Sequence, residues 1–315
     1  MPDNSSQSPQ HWAKQQERGS YWLMKFTAIA TRLLGRRLMT PLIYLIVCYF
    51  FITGRKARNS AWEYQQKLAL WSGNSELLPS TRRIFKQFMS FAEALLDKLD
   101  VWHERIGLND IEVEDPAVIR PKIHQATERG QLLVGAHLGN LEVCRALAEK
   151  SKKVRMNVLV HTRHAEQFNR LLGETGSENL RLIQVSELDP ATMLLLSQRL
   201  DAGEWLAIAG DRVPLQGSRY SEVEFLGALA HLPQGPWLLA GILKCPVNLL
   251  FCLKHGSRYR VCLEPFSQQI SWQRSTREQV IQQSAQRYAD RLAERCLEAP
   301  YQWFNFYPFW NRNDH

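Results

Sequence analysis

The sequence predicts an α/β fold, a central sheet flanked by helices, preceded by a helical N-terminal region. Two observations predict it. From about residue 115, short apolar runs alternate with amphipathic stretches of ten or so residues, the pattern of strands and helices in layers. Before residue 100 the texture is helical throughout, with apolar residues near 3.6-residue spacing. Hydrophobic residues make up 45% of the 315-residue chain, ample for a sizeable core. The expected division is a polar tail over 1–11, a helical region over 12–100 and an α/β domain over 101–315.

The helical region carries most of the charge. Net charge is +8, and residues 1–60 hold nine basic and two acidic side chains, so the other 255 residues are nearly neutral. A nucleic-acid enzyme would more often carry its basic surface on the catalytic domain. Basic residues beside an apolar run fit an anionic membrane surface better. That run, residues 38–54, has 17 residues and no charge. As a helix it would reach about 26 Å, on the boundary between a short spanning helix and an interfacial anchor. Tyr44, Tyr49, Phe50 and Phe51 suit an interface. The run begins too late for a cleaved signal peptide, and no A-x-A-like site follows it. Helices are expected over 61–70 and 81–99, broken by Gly73, Asn74 and Pro79.

In the α/β region, strands are expected at 132–136, 154–160, 180–185, 205–209, 222–226, 247–253 and 259–263. Helices are expected at 140–150, 165–172, 191–200, 234–243 and 277–298. Six cysteines without a C-x-x-C pair read as isolated, mostly buried thiols in a reducing compartment. Neither they nor His161 and His164 suggest a metal site.

The chemistry gathers at Gly135-Ala136-His137-Leu138-Gly139-Asn140-Leu141-Glu142, directly after the first of these strands. Five residues apart on one helix, His137 and Glu142 would face different ways. They can meet if His137 lies on the turn and Glu142 in the first turn of the helix. Gly139 permits that bend and Asn140 is a good N-cap. His137 can then act as general base on a hydroxyl, with Glu142 fixing the tautomer and stabilising the imidazolium. Asp211 and Arg212 follow the 205–209 strand, where ligands of α/β sheets collect. With Asn140, and with Arg163 after the second strand, they are the candidate substrate-binding residues. An apolar slot for an acyl chain is expected from Leu138, Leu141, Trp237 and Leu238. No G-x-G-x-x-G, P-loop or G-x-S-x-G motif is present, which argues against a dinucleotide enzyme, a nucleotide triphosphatase and a serine hydrolase.

The strand followed by HLGNLE and a helix resembles the H-x(4)-D/E motif of the lysophospholipid acyltransferase superfamily. Glu in the last position makes it most similar to the lipid A biosynthesis (lauroyl or myristoyl) acyltransferases. The basic apolar N-terminus, Asp211 with the later Phe225-Leu226-Gly227, Gly241 to Val247, and the closing Pro300-Tyr301-Gln302-Trp303 extend the resemblance over about residues 20–310. It implies a mixed central sheet of glycerolipid-acyltransferase type and transfer from an acyl carrier protein or coenzyme A thioester to a lipid or glycolipid hydroxyl. The thioester is a co-substrate, with no cofactor and no metal, and the implied place is the cytoplasmic face of the inner membrane. Two readings compete. A monotopic glycosyltransferase would usually carry a D-x-D, absent here. A non-catalytic membrane-binding scaffold would leave His137 buried or apart from Glu142. Asn305 to Trp310, where the family is rich in Arg and His, departs from the pattern and points to a different acceptor.

Overall fold

The computed structural model describes residues 40–102, 105–124, 128–141, 143–144, 155–160, 180–184, 189–213 and 219–310. Its centre is a seven-stranded mixed sheet with helices around it. In chain order the elements are α1 (40–53), α2 (Arg55–Ser72), α3 (Thr81–Trp102), β1 (Ile111–Glu114), α4 (Ile119–His124), β2 (Leu132–Gly135), β3 (Met156–Val160), β4 (Leu180–Gln184), α5 (Pro190–Asp201), β5 (Trp205–Ala209), β6 (Tyr220–Phe225), β7 (Ala228–Pro233), α6 (Gly235–Leu243), β8 (Val247–His255), β9 (Arg258–Ser267) and α7 (Arg277–Glu298).

Strand order is β1-β9-β8-β2-β5-β3-β4. From β8 to β4 every pairing is parallel, and β9 returns antiparallel to β8 through a two-residue turn at Gly256-Ser257. β2 lies between β8 and β5, and all four of its residues are buried. That explains its unbroken apolar run, the mark of a strand covered on both faces. In α7, Ile281, Ala285, Tyr288, Ala289, Leu292 and Cys296 fall at helical spacing and form the buried stripe.

Three elements are absent from the sequence reading. β1 and α4 are short, and β1 pairs only with β9 at the sheet edge. β7 completes a separate hairpin with β6. The turn between them is Leu226-Gly227, both at positive φ, as a two-residue turn matching strand twist requires. The expected helix at 165–172, and most of that at 140–150, lie outside the described residues.

The uncharged N-terminal run folds back on the protein. α1 is followed by Gly54, whose N–H donates to Phe50 O at 2.8 Å, and α2 starts at once. Ile43 and Val47 pack with Ala61, Ile84, Phe88 and Leu96 of α2 and α3. The opposite face stays outside, with Leu45 66%, Tyr49 61% and Ile52 73% exposed. Among the described residues no helix is long and apolar enough to cross a membrane.

Candidate active site

β2 and β5 are parallel neighbours, with Gly135 beside Ala209. Two residues further along each chain stand His137 and Asp211, so the sheet register itself puts them side by side at the carboxyl ends of adjacent strands. His137 Nδ1 lies 2.8 Å from Asp211 Oδ1. Asp211 Oδ2 accepts from His137 N–H at 3.0 Å, Trp303 Nε1 at 3.2 Å and Asn305 Nδ2 at 3.0 Å. Burial would raise the Asp211 carboxyl, but the His137 imidazole, its hydrogen bonds and the Arg212 charge outweigh it and hold the group well below the usual carboxylate range. An ionised carboxylate only accepts, so Nδ1 carries the proton and Nε2 is the basic nitrogen. The imidazole is 38% exposed and the carboxylate 0%.

Glycines make the approach possible. Gly139 has φ +73°, and a Cβ there would sit 1.9 Å from Cys252 O of β8. This tight turn lets Asn140 N–H donate to that same carbonyl at 2.8 Å and Gly139 N–H to Gln302 O at 2.9 Å. Phe304 N–H donates to His137 O at 2.9 Å. The His137 turn is thus clamped between β8 and the closing segment 302–304. On the β5 side, Gly210 N–H donates to Gly135 O at 2.9 Å, and Tyr288 OH of α7 donates to the same oxygen at 2.7 Å. A Cβ on Gly210 would meet Val134 Cγ1 at 2.8 Å and the Tyr288 ring at 3.0 Å.

The predicted site residues separate. Asp211, expected on the substrate side, is buried and turned to His137, Trp303 and Asn305. Asn140, also expected on the substrate, is buried and donates Nδ2 to Ala94 O of α3 at 3.0 Å, tying the turn to that helix. Half-buried Arg212 donates Nε to Asn305 Oδ1 at 2.6 Å and Nη2 to Phe304 O at 2.9 Å, with its guanidinium 5.9 Å from the Tyr307 ring centre. Glu142 and Arg163 lie outside the described residues. Two of the expected slot residues are core instead. Leu138 and Trp237 are fully buried, and Trp237 stacks on Phe266 and packs against Tyr288. Leu141 and Leu238 are partly buried at the core's edge. Trp303, Asn305 and Tyr288 are the site residues that sequence reasoning missed. A polar Asn within the aromatic run from Trp303 to Trp310 was the available signal. Among the described residues no three His, Cys, Asp or Glu side chains converge on a point where a metal ion could sit.

The model of the bacterial lipid A biosynthesis acyltransferases matches residues 14–312. The chain belongs to this family. Among curated proteins none matches it. In this lipid A biosynthesis acyltransferase family member, the match spans both the helical region and the whole sheet, including the His137 turn and the closing segment. The α/β fold with a mixed central sheet flanked by helices is the scaffold of this acyltransferase family member.

Proposed function

We propose that the protein moves a fatty acyl group from a thioester, on acyl carrier protein or coenzyme A, to a hydroxyl of a lipid or glycolipid acceptor. The observation that carries this reading is the His137–Asp211 pair, a partly exposed imidazole whose inner nitrogen is held at 2.8 Å by a buried carboxylate. Nε2 takes the acceptor's proton as its oxygen attacks the thioester carbonyl. The resulting imidazolium is stabilised by the Asp211 anion. When the C–S bond breaks, that proton passes to the departing sulfur, leaving an ester, a thiol and neutral His137. No serine or cysteine nucleophile is needed.

Glu142, expected to orient the imidazole, lies outside the described residues, and in this reading Asp211 holds Nδ1 in that role. Arg163 and Arg212 meet the polar end of an anionic acceptor. An aromatic seam leads to this pair. Phe51 of α1 packs on Phe88, Phe88 on Phe306, and Phe306 on Phe91, which also meets Phe304 next to the His137 turn. It runs from the inner face of α1 to the segment beside the His137 turn; catalysis at the cytoplasmic face of the inner membrane, with a lauroyl- or myristoyl-sized chain, belongs to the same reading. The deciding experiment compares lipid extracts of cells with and without the gene by mass spectrometry. One lipid lacking a single acyl chain, restored by wild type and not by His137→Ala, is the expected outcome. Identical lipid profiles would overturn the reading.

A further inference from the structure

We propose that Asn305 is a positioning residue for the His137–Asp211 pair, and that the closing segment is therefore part of the catalytic apparatus as well as of the core. The inference rests on the acyl-transfer reading for its kinetic consequence, but not for its geometry.

The Asp211 carboxylate has two oxygens with different tasks. Oδ1 faces His137 Nδ1, and Oδ2 takes three donors, of which Trp303 and Asn305 supply two. Without those two side chains the carboxylate could rotate about its Cβ–Cγ bond and share its charge differently with the imidazole. Trp303 is rigidly held, its ring buried against Tyr64, Phe225 and Phe309. Asn305 is buried as well, and its two ends meet opposite partners. Arg212 can only donate and ionised Asp211 can only accept, so the amide must turn its oxygen to Arg212 and its nitrogen to Asp211. No other uncharged side chain of that size both accepts and donates in this way. Asn305 thus links the Arg212 cation to the Asp211 anion without adding charge.

An isosteric carboxyl at position 305 keeps the acceptor for Arg212 but removes the donor to Asp211. Once ionised it repels Asp211. The charged and titratable groups facing this point are His137 after β2, Asp211 and Arg212 after β5, and Tyr288 and Cys296 of α7. Burial raises both Tyr288 and Cys296 above their ordinary ranges, so neither changes charge between pH 6 and 9.

The test uses the full chain in detergent micelles with two readouts. The first is the ¹⁵N imidazole spectrum of His137, assigned by its loss in His137→Gln. Wild type should hold the neutral ring mainly as the Nδ1–H tautomer, and Asn305→Ala should lower that fraction. The second is thiol release from dodecanoyl-coenzyme A with extracted membrane lipids as acceptor. Asn305→Ala should lose tenfold or more in kcat at every pH, with KM within threefold. Asn305→Asp, which keeps the acceptor for Arg212 but sets a second carboxyl against Asp211, should also lose tenfold or more in kcat. An unchanged tautomer fraction in Asn305→Ala, or an Asn305→Asp variant with wild-type kcat, overturns the proposal. If wild type releases no thiol, the acyl-transfer reading fails, and the tautomer measurement still decides the role of Asn305.

Discussion

At the scale of the residue, the imidazole and the buried carboxylate behind it do different jobs and should fail differently. In the proposed mechanism His137→Ala removes the base and should lower acyl transfer by about 10²–10⁴-fold. The fold should survive, since the side chain is 38% exposed; an unaltered turnover in a thioester assay would refute the mechanism. Asp211→Asn keeps shape but loses the anion, so it should cost kcat with less effect on KM. It should also change how stability depends on pH. The folded Asp211 carboxyl is depressed while the unfolded one titrates near about 3.9. Its contribution is thus present above that value and is lost as pH falls below it. Chemical denaturation from pH 6 down to pH 2 should show the gap between wild type and Asp211→Asn narrowing, and a constant gap would contradict the depressed value. His137 was legible in the sequence because an apolar run, a Gly and an Asn of the kind that favours an N-cap surround it. The partner of its Nδ1 was not, because nothing local says that the strand before Asp211 lies next to the strand before His137.

At the scale of the element, the site depends on how closely backbones approach. Gly139→Ala places a Cβ 1.9 Å from the Cys252 carbonyl, at φ +73°. Backbone strain alone should cost on the order of 1–3 kcal/mol, and thermal unfolding should register it; a variant as stable as wild type would mean the turn can move. Tyr288→Phe keeps the ring that packs on Gly210 but removes the hydrogen bond to the Gly135 carbonyl. The expected loss is about 1 kcal/mol, measurable by the same unfolding experiment. Strands β2, β5 and β8 were readable because burial on both faces writes an unbroken apolar run. β7 was not, because Ala228-Leu229-Ala230-His231-Leu232-Pro233 ends in Pro and has no strong β-branched character. Only pairing with β6 makes it a strand. Edge strand β1 was equally silent, with four residues and one partner.

At the scale of the whole molecule, the helical region joins the sheet through buried side chains. Gln65 Nε2 of α2 donates to Gln87 Oε1 at 2.8 Å, and Gln87 Nε2 of α3 donates to Trp303 O at 2.8 Å. The outer face of α1 remains apolar above this junction. Replacing Leu45, Tyr49 and Ile52 together by Ser should weaken sedimentation with anionic vesicles at least about tenfold, given the transfer energy of three large side chains. Undiminished sedimentation would place the attachment elsewhere. The sequence marked this run as interfacial or spanning from its lack of charge. It could not reveal that Ile43 and Val47 face protein, since apolar residues on all sides give no polar face to read.

The clamp on the His137 turn also bears on the order in which the chain is made. Residues 137 and 211 leave the ribosome well before residues 302–305, and synthesis runs at about 5–20 residues per second. Until those later residues emerge, the His137 carbonyl lacks its bond from Phe304 and the Asp211 carboxylate lacks two of its donors. The growing chain therefore carries its apolar N-terminal helices from the start but acquires a wired imidazole only seconds later. A nascent chain stalled before Trp303 would hold the helices that face a surface while lacking the contacts that fix His137 and Asp211.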